Sequence, residues 1–286
     1  MTASELKSSV FRTPGGTAIH YLQAGNSSGP LLICLHGLGG STETFVPLLP
    51  SLPTSYSVIL VDFQGFGKSP VSTEGPFSVG GHVSDIHHLI TSLQAAPGSE
   101  SGAQKVVIIG HSLGAIVALH YAAEHAQDVA GLALLAAGRS AAHIPIVRQR
   151  MTDLARNTRE KGIGFAADLA ATTNFPPADM RDVPPKIREA LHAAVAASDP
   201  EGYARTCEMM VDPSHTDPDY SKITCPAVFV AGDLDGISPP ERSEDLNRLV
   251  AGDSSVFIVK SGHQVILEDP EAVGGAVKHL FTKISG

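Results

Sequence analysis

Apolar residues along this chain gather in short unbroken runs, and the stretches between them carry helical spacing. Leu31-Leu32-Ile33-Cys34-Leu35 is the first such run. It is followed by Ser57–Val61, Val106–Ile109, Gly131–Ala136, Ala227–Ala231 and Val256–Val259. A run with no polar alternation suits a strand covered on both faces, as in a parallel sheet. Upstream, the segment around Val10–Phe11, the turn Pro14-Gly15-Gly16 and Thr17–Leu22 read as a hairpin. Between the runs, His82–Leu93 places Val83, Ile86, His87, Ile90 and Leu93 on one helical stripe. Ser112–His125 is rich in Ala and Leu, and Pro240–Val250 and Pro270–Ile284 continue the pattern. Strand alternating with helix predicts an α/β, doubly wound sheet with right-handed crossovers.

One stretch breaks that rhythm. From Arg139 to Asp219 the chain is rich in Ala, Arg and Asp, with helical spacing and no strand run. Pro176–Pro177 and Pro184–Pro185 punctuate it. The strand–helix alternation resumes at Ile223, so the segment reads as a helical insertion within one core. The expected organisation is a first core part over 1–138, a helical cap over 139–219 and a second core part over 220–286. Gly98–Gln104 reads as a short flexible loop.

Composition narrows the function. With 43% hydrophobic and 17% charged residues, the 286-residue chain can bury a sizeable core. The formal charge is −9 and no run of Lys or Arg occurs. Nucleic acid and anionic membrane surfaces are therefore not the expected partners, since both need clustered cations. The three cysteines, Cys34, Cys207 and Cys225, read as reduced thiols, with Cys34 and Cys225 in strand-like apolar runs. The opening residues MTASELKSSVFRTPGG hold no apolar stretch of signal-peptide length, and no span approaches a membrane crossing. A cytoplasmic protein is the expectation.

The chemistry concentrates in loops that follow strand runs. Gly110-His111-Ser112-Leu113-Gly114 lies between the run ending at Ile109 and a helical pattern. A serine on such a turn is lifted above the sheet, at a helix N-terminus where negative charge is favoured. A hydroxyl needs a base, and the base needs an orienting acid. The loop Gly232-Asp233-Leu234-Asp235-Gly236 follows a strand run, and Asp235 is the expected acid because it sits deeper in the turn before a Pro-started helix. Ser238 or Asp233 is then expected to cap that helix. His263, after Gly262 in the loop beyond the last strand run, is the expected base among 13 histidines. His82, His87 and His88 read as the side of a surface helix with spacing wrong for a metal pair, and no metal site is expected. His120, His125, His192 and His279 read as partly solvated. Glycines in Leu35-His36-Gly37-Leu38-Gly39-Gly40 let the backbone approach a reacting carbonyl, which makes the N–H groups of Leu38 and Leu113 the expected oxyanion donors. His36 is expected to support that loop by hydrogen bonding.

Taken together, HGLGG at 36–40, VDFQGFGKS at 61–69, GHSLG at 110–114, GDLDGISPP at 232–240 and the GH…EDP of 262–270 resemble the α/β-hydrolase superfamily. The resemblance implies a mostly parallel eight-stranded sheet, a helical cap over the site and no cofactor. Gln64 departs from it, standing where many relatives carry Arg. The cap end Ala197–Cys207 resembles the 3-oxoadipate enol-lactonases, which hydrolyse a small acidic lactone. Arg139 and Arg205 become candidate cations for a substrate carboxylate. The implied activity is a carboxylic ester hydrolase, an esterase or lactonase, acting on a small-molecule ester or lactone. A carbon–carbon bond hydrolase, a perhydrolase, an aminopeptidase and a slow-turnover ligand receptor remain the alternatives.

Overall fold

The computed structural model describes residues 6–72, 77–96 and 104–285. The first residues of the chain and most of the expected loop Gly98–Gln104 lie outside them. Eight strands form a single sheet: β1 (Lys7–Arg12), β2 (Ala18–Gly25), β3 (Leu31–Leu35), β4 (Ser57–Val61), β5 (Val106–His111), β6 (Val129–Leu135), β7 (Ala227–Gly232) and β8 (Ser254–Val259). Their spatial order is β1-β2-β4-β3-β5-β6-β7-β8. The β1–β2 hairpin joins β4 antiparallel, and every later pairing is parallel.

Alternation along each strand explains the two cores. Leu31, Ile33 and Leu35 of β3 face one cluster with the buried side of helices α1 (Val79–Gln94) and α2 (Leu113–Glu124). Leu32 and Cys34 face the other, with the 3₁₀ segment Thr42–Ser51 and the C-terminal helix. Both faces of β3 to β7 are thus covered, which is why their sequence shows no alternation of polarity. The run Val256–Val259 departs from this, since β8 ends the sheet and is only partly buried, with Ile258 50% exposed.

Four helices follow β6: α3 (Pro145–Lys161), α4 (Ile163–Thr173), α5 (Pro185–Ala196) and α6 (Pro200–Met210). The chain then returns to the sheet through β7, α7 (Pro240–Leu249), β8, the short α8 (Val265–Glu268) and α9 (Pro270–Ser285). Helix α6 docks on the core backbone to backbone. A Cβ on Gly202 would lie 2.5 Å from the Cα of Gly65, so neither position has room for a side chain.

Several expectations need correction. Helix α1 begins at Val79, where the Ser78 hydroxyl accepts from the Gly81 N–H at 3.0 Å. His82 lies on its buried face at 1% exposure, between Phe63 and Phe77, while His87 is only half-buried. The stripe expected from the sequence is rotated, since Leu89 is buried and Leu93 is only partly so. Cys225 sits in a bend ahead of β7 and not in the strand. Neither Ser238 nor Asp233 caps α7, which starts behind Pro239 with no side-chain cap. None of the described helices is long and apolar enough to cross a membrane.

Candidate active site

Ser112 occupies the turn between β5 and α2 with φ 51° and ψ −108°. A non-glycine residue there costs about 1–3 kcal/mol and persists only where its surroundings enforce it. The enforcement is visible. The Ser112 N–H donates to the Leu135 carbonyl at 2.9 Å, and its own carbonyl accepts from the N–H groups of Ala115 and Ile116. Gly114 closes the turn, because a Cβ there would fall 2.0 Å from the Leu35 carbonyl oxygen.

Three side chains distant in sequence meet at this turn. Ser112 Oγ lies 3.0 Å from His263 Nε2, and His263 Nδ1 lies 2.8 Å from Asp235 Oδ2. His263 is 5% exposed and Asp235 is 3%. The other carboxylate oxygen, Oδ1, accepts from the N–H groups of Ile237 and Ser238 at 2.8 and 2.9 Å. Burial alone pushes the Asp235 carboxyl up. The neighbouring His263 and these hydrogen bonds outweigh it and hold the group below its ordinary value. The carboxylate is thus ionised and can only accept, so His263 Nδ1 carries its proton toward Asp235 and Nε2 offers a lone pair to Ser112. Asp233, the other acid of the loop, points elsewhere. It takes both Nη groups of Arg181 at 2.8 Å and the Ser261 N–H at 3.1 Å.

The loop after β3 stands beside the serine. His36 braces it as expected, with Nδ1 2.7 Å from the Gly37 carbonyl and Nε2 accepting from the Phe63 N–H at 3.0 Å. Asp62 ties the adjoining loop, accepting from Thr42 N–H at 2.6 Å, from Lys68 N–H and from His20 Nδ1. Gln64 is buried, with its Oε1 3.4 Å from the Ser72 nitrogen. The backbone N–H groups of Leu38 and Leu113 have no acceptor among the described residues. Leu38 borders the cavity, and Leu113 opens α2 directly after the serine.

A cavity of about 390 Å³ exposes Ser112 and His263. Its walls come from strand ends and from α3, α4 and α6 alike, with Met151, Leu154, Leu169, Tyr203 and Ile237 giving an apolar lining. Among the described residues no Asp or Glu side chain lines it, whereas Arg139, Arg150 and Arg242 do. Arg139 is already paired, its Nε donating to Asp217 Oδ2 at 2.9 Å. Arg242 is half-buried and, among the described residues, bonds through Nη1, to the Ile237 carbonyl at 3.0 Å and the Ser238 hydroxyl at 3.4 Å. Burial lowers its pKa, the nearby Arg139 adds to this, and Asp235 opposes it. Sequence pattern gave no reason to single out Arg242, because an Arg in the first turn of an exposed polar helix is ordinary.

Arg205 is not part of this site. Its guanidinium lies 4.3 Å over the Phe77 ring, with Nη1 donating to the Ser72 carbonyl at 3.1 Å, in a separate hollow that also holds His120 and His215. It faces that way because its turn of α6 looks toward the start of α1 and not toward the serine. Elsewhere, His87, His125 and Asp128 gather ligand atoms within 4.8 Å of one another. The two imidazoles stack at 4.1 Å with planes 6° apart, so a metal in the plane of one ring would lie outside the plane of the other. That arrangement does not fit a metal centre.

A sequence model described as the alpha/beta hydrolase family matches residues 32–276. The chain is 24% identical over 273 residues to the 3-oxoadipate enol-lactonase 2 of Acinetobacter baylyi, covering 96% of each chain. It is 29% identical over 259 residues to a pimeloyl-[acyl-carrier protein] methyl ester esterase of Neisseria meningitidis, covering 83% of this chain and 88% of that one. Among solved structures, a thermophilic esterase from Thermogutta terrifontis superposes with a TM-score of 0.83 at 24% identity, over 98% of this chain and 99% of the other.

Proposed function

This chain belongs to the alpha/beta hydrolase family, and from that membership and the geometry of the site we propose that it is a serine hydrolase of small carboxylic esters or lactones. The observation that carries the reading is the unbroken line from Asp235 through His263 to Ser112, at 2.8 and 3.0 Å, opening on a cavity. Ser112 Oγ attacks the carbonyl carbon as its proton passes to His263 Nε2. The oxyanion accepts from the Leu38 and Leu113 N–H groups. The tetrahedral intermediate then collapses to an acyl-enzyme, and His263 returns the proton to the departing alcohol oxygen. Water, deprotonated by the same imidazole, releases the acid and restores Ser112. For a lactone the departing oxygen stays tethered to the acyl group, and the product is a single hydroxy acid. Asp235 keeps the imidazole in the required tautomer and stabilises its cationic form.

The segment 139–219 acts as the cap that selects the substrate, because its helices supply much of the cavity wall. A lining with no acid among the described residues, and with Arg242 bonded there through Nη1 and Arg139 beside it, favours an ester that carries a carboxylate. The enol-lactonase relative is consistent with that preference. The test is labelling of Ser112 by an organophosphate, followed by kcat/KM over a panel of neutral and anionic esters and lactones. Labelling elsewhere, or no turnover across the panel, rejects the reading. Labelling at Ser112 with only very slow turnover favours a ligand receptor.

A further inference from the structure

Every polar atom of His263 is engaged. Its ring nitrogens meet Asp235 and Ser112, its N–H donates to the Asn174 carbonyl at 2.8 Å, and its carbonyl lies 2.9 Å from His111 Nε2. The last contact is unlike the others. His111 directly precedes Ser112, so a bond from its side chain to the carbonyl of residue 263 ties the nucleophile to the base through one peptide. Among the described residues, the other bonds of His263 run to Asp235, to Asn174 and to Ser112 Oγ itself, so this one joins the base loop to the residue before the nucleophile. Resting on the hydrolase reading above, we infer that His111 is a positioning residue, whose imidazole N–H holds the His263 loop in register with the Ser112 hydroxyl.

The chemistry of the contact fixes the tautomer. A carbonyl can only accept, so Nε2 of His111 must carry hydrogen. The ring is 4% exposed, and burial, reinforced by His263, pushes its pKa down to about 4. It is neutral near pH 7, and Nδ1 is left unprotonated. That side of the ring abuts the loop of Leu38, since a Cβ on Gly37 would lie 2.9 Å from His111 Nδ1. Its face lies toward the His263 ring, with centroids 5.3 Å apart. One side chain therefore touches the loop after β3, the base loop and the nucleophile turn. Gln keeps an amide N–H near the position of Nε2, whereas Leu fills similar space with no donor.

The test compares His111→Gln, His111→Leu and His111→Met with the wild type on 4-nitrophenyl acetate, with thermal unfolding of each. Displacing a reacting group by an ångström can cost about 10²-fold in rate. The Leu and Met proteins are expected to lose ~30- to 100-fold in kcat with KM changed less than about threefold, while Gln stays within about fivefold of the wild type. Full kcat in a folded Leu or Met protein overturns the inference, as does an equal loss in Gln. A crystal structure of a folded Leu or Met protein reads the same point without activity. The Ser112 Oγ to His263 Nε2 separation is expected to leave hydrogen-bond range, and a separation kept at 3.0 Å refutes the positioning role. Wild type that is neither labelled at Ser112 nor active rejects the hydrolase reading instead, and the structural comparison still decides the role of His111.

Discussion

Replacing Asp235 with Asn tests whether tautomer control, and not mere packing, is what the acid contributes. The Oδ1 oxygen of Asp235 accepts two backbone N–H groups, from Ile237 and Ser238, at 2.8 and 2.9 Å. In the Asn protein the amide oxygen is bound to stay on those donors. Flipping the amide would leave the buried Ser238 N–H and the partly buried Ile237 N–H without an acceptor, at about 1–3 kcal/mol each at most. The NH₂ group therefore faces His263 Nδ1 and donates to it. This stabilises the tautomer with hydrogen on Nε2, which cannot accept the Ser112 proton. Restoring the productive tautomer means breaking that new bond and setting two N–H groups against each other. Together with the lost charge-assisted hydrogen bond, the barrier rises by roughly 3–6 kcal/mol. At 1.36 kcal/mol per decade this is a loss of about 10²- to 10⁴-fold in kcat/KM. The assay is kcat/KM on 4-nitrophenyl acetate, with thermal unfolding to establish that the variant is folded. A folded Asp235→Asn protein within tenfold of wild type refutes the reasoning. So does an equal loss from Asp233→Asn, whose carboxylate holds Arg181 and not the imidazole.

Other consequences can be measured directly. Ser112→Ala should abolish turnover and organophosphate labelling while leaving the unfolding temperature close to wild type, because alanine occupies the same strained turn; residual turnover near wild type contradicts the assignment. Arg242→Met should lower kcat/KM for an anionic hemiester by about 10- to 100-fold and spare the neutral ester, the range expected for losing a charge-assisted hydrogen bond; equal loss on both esters rules out carboxylate recognition. Burial pushes the Glu268 carboxyl from its ordinary 4.5 up to about 7, so the folded state holds a proton that the unfolded chain has released. Its stability contribution is full below about pH 4.5 and is lost as pH rises through 7. Glu268→Gln should therefore flatten a decline on the order of 1 kcal/mol across that window, after allowing for partial exposure, as read by urea unfolding at several pH values. Gly202→Ala should weaken cap docking against Gly65 and raise the rate of proteolysis within 139–219; unchanged protease resistance would count against the tight contact.

The unbroken runs at β3 to β7 were legible because a strand covered on both faces has no polar side to disguise it. Ser112 and His263 were legible because each follows a strand run in a glycine-bearing loop, so sequence order alone placed them at the same edge of the sheet. Position in the turn favours Asp235 over Asp233. The structure gives the physical difference, with two backbone donors and the imidazole around one acid and a guanidinium around the other.

What the chain could not reveal by itself depends on side chains that meet across the fold. His82 shares the buried face of α1 with Val79, Ile86 and Leu89, and its ring meets Phe63 and Phe77, neighbours that the segment alone does not name. The separation of Arg205 from the site, and the presence of Arg242 in it, follow from which way α6 and α7 face once docked. The bond from His111 to the carbonyl of His263 joins residues 152 positions apart, a distance over which local pattern carries no information. Periodicity and turn chemistry are local and were written in the sequence. Which polar atoms find partners is decided only when the elements pack, because a buried donor or acceptor is satisfied by whatever the tertiary structure brings within about 3 Å.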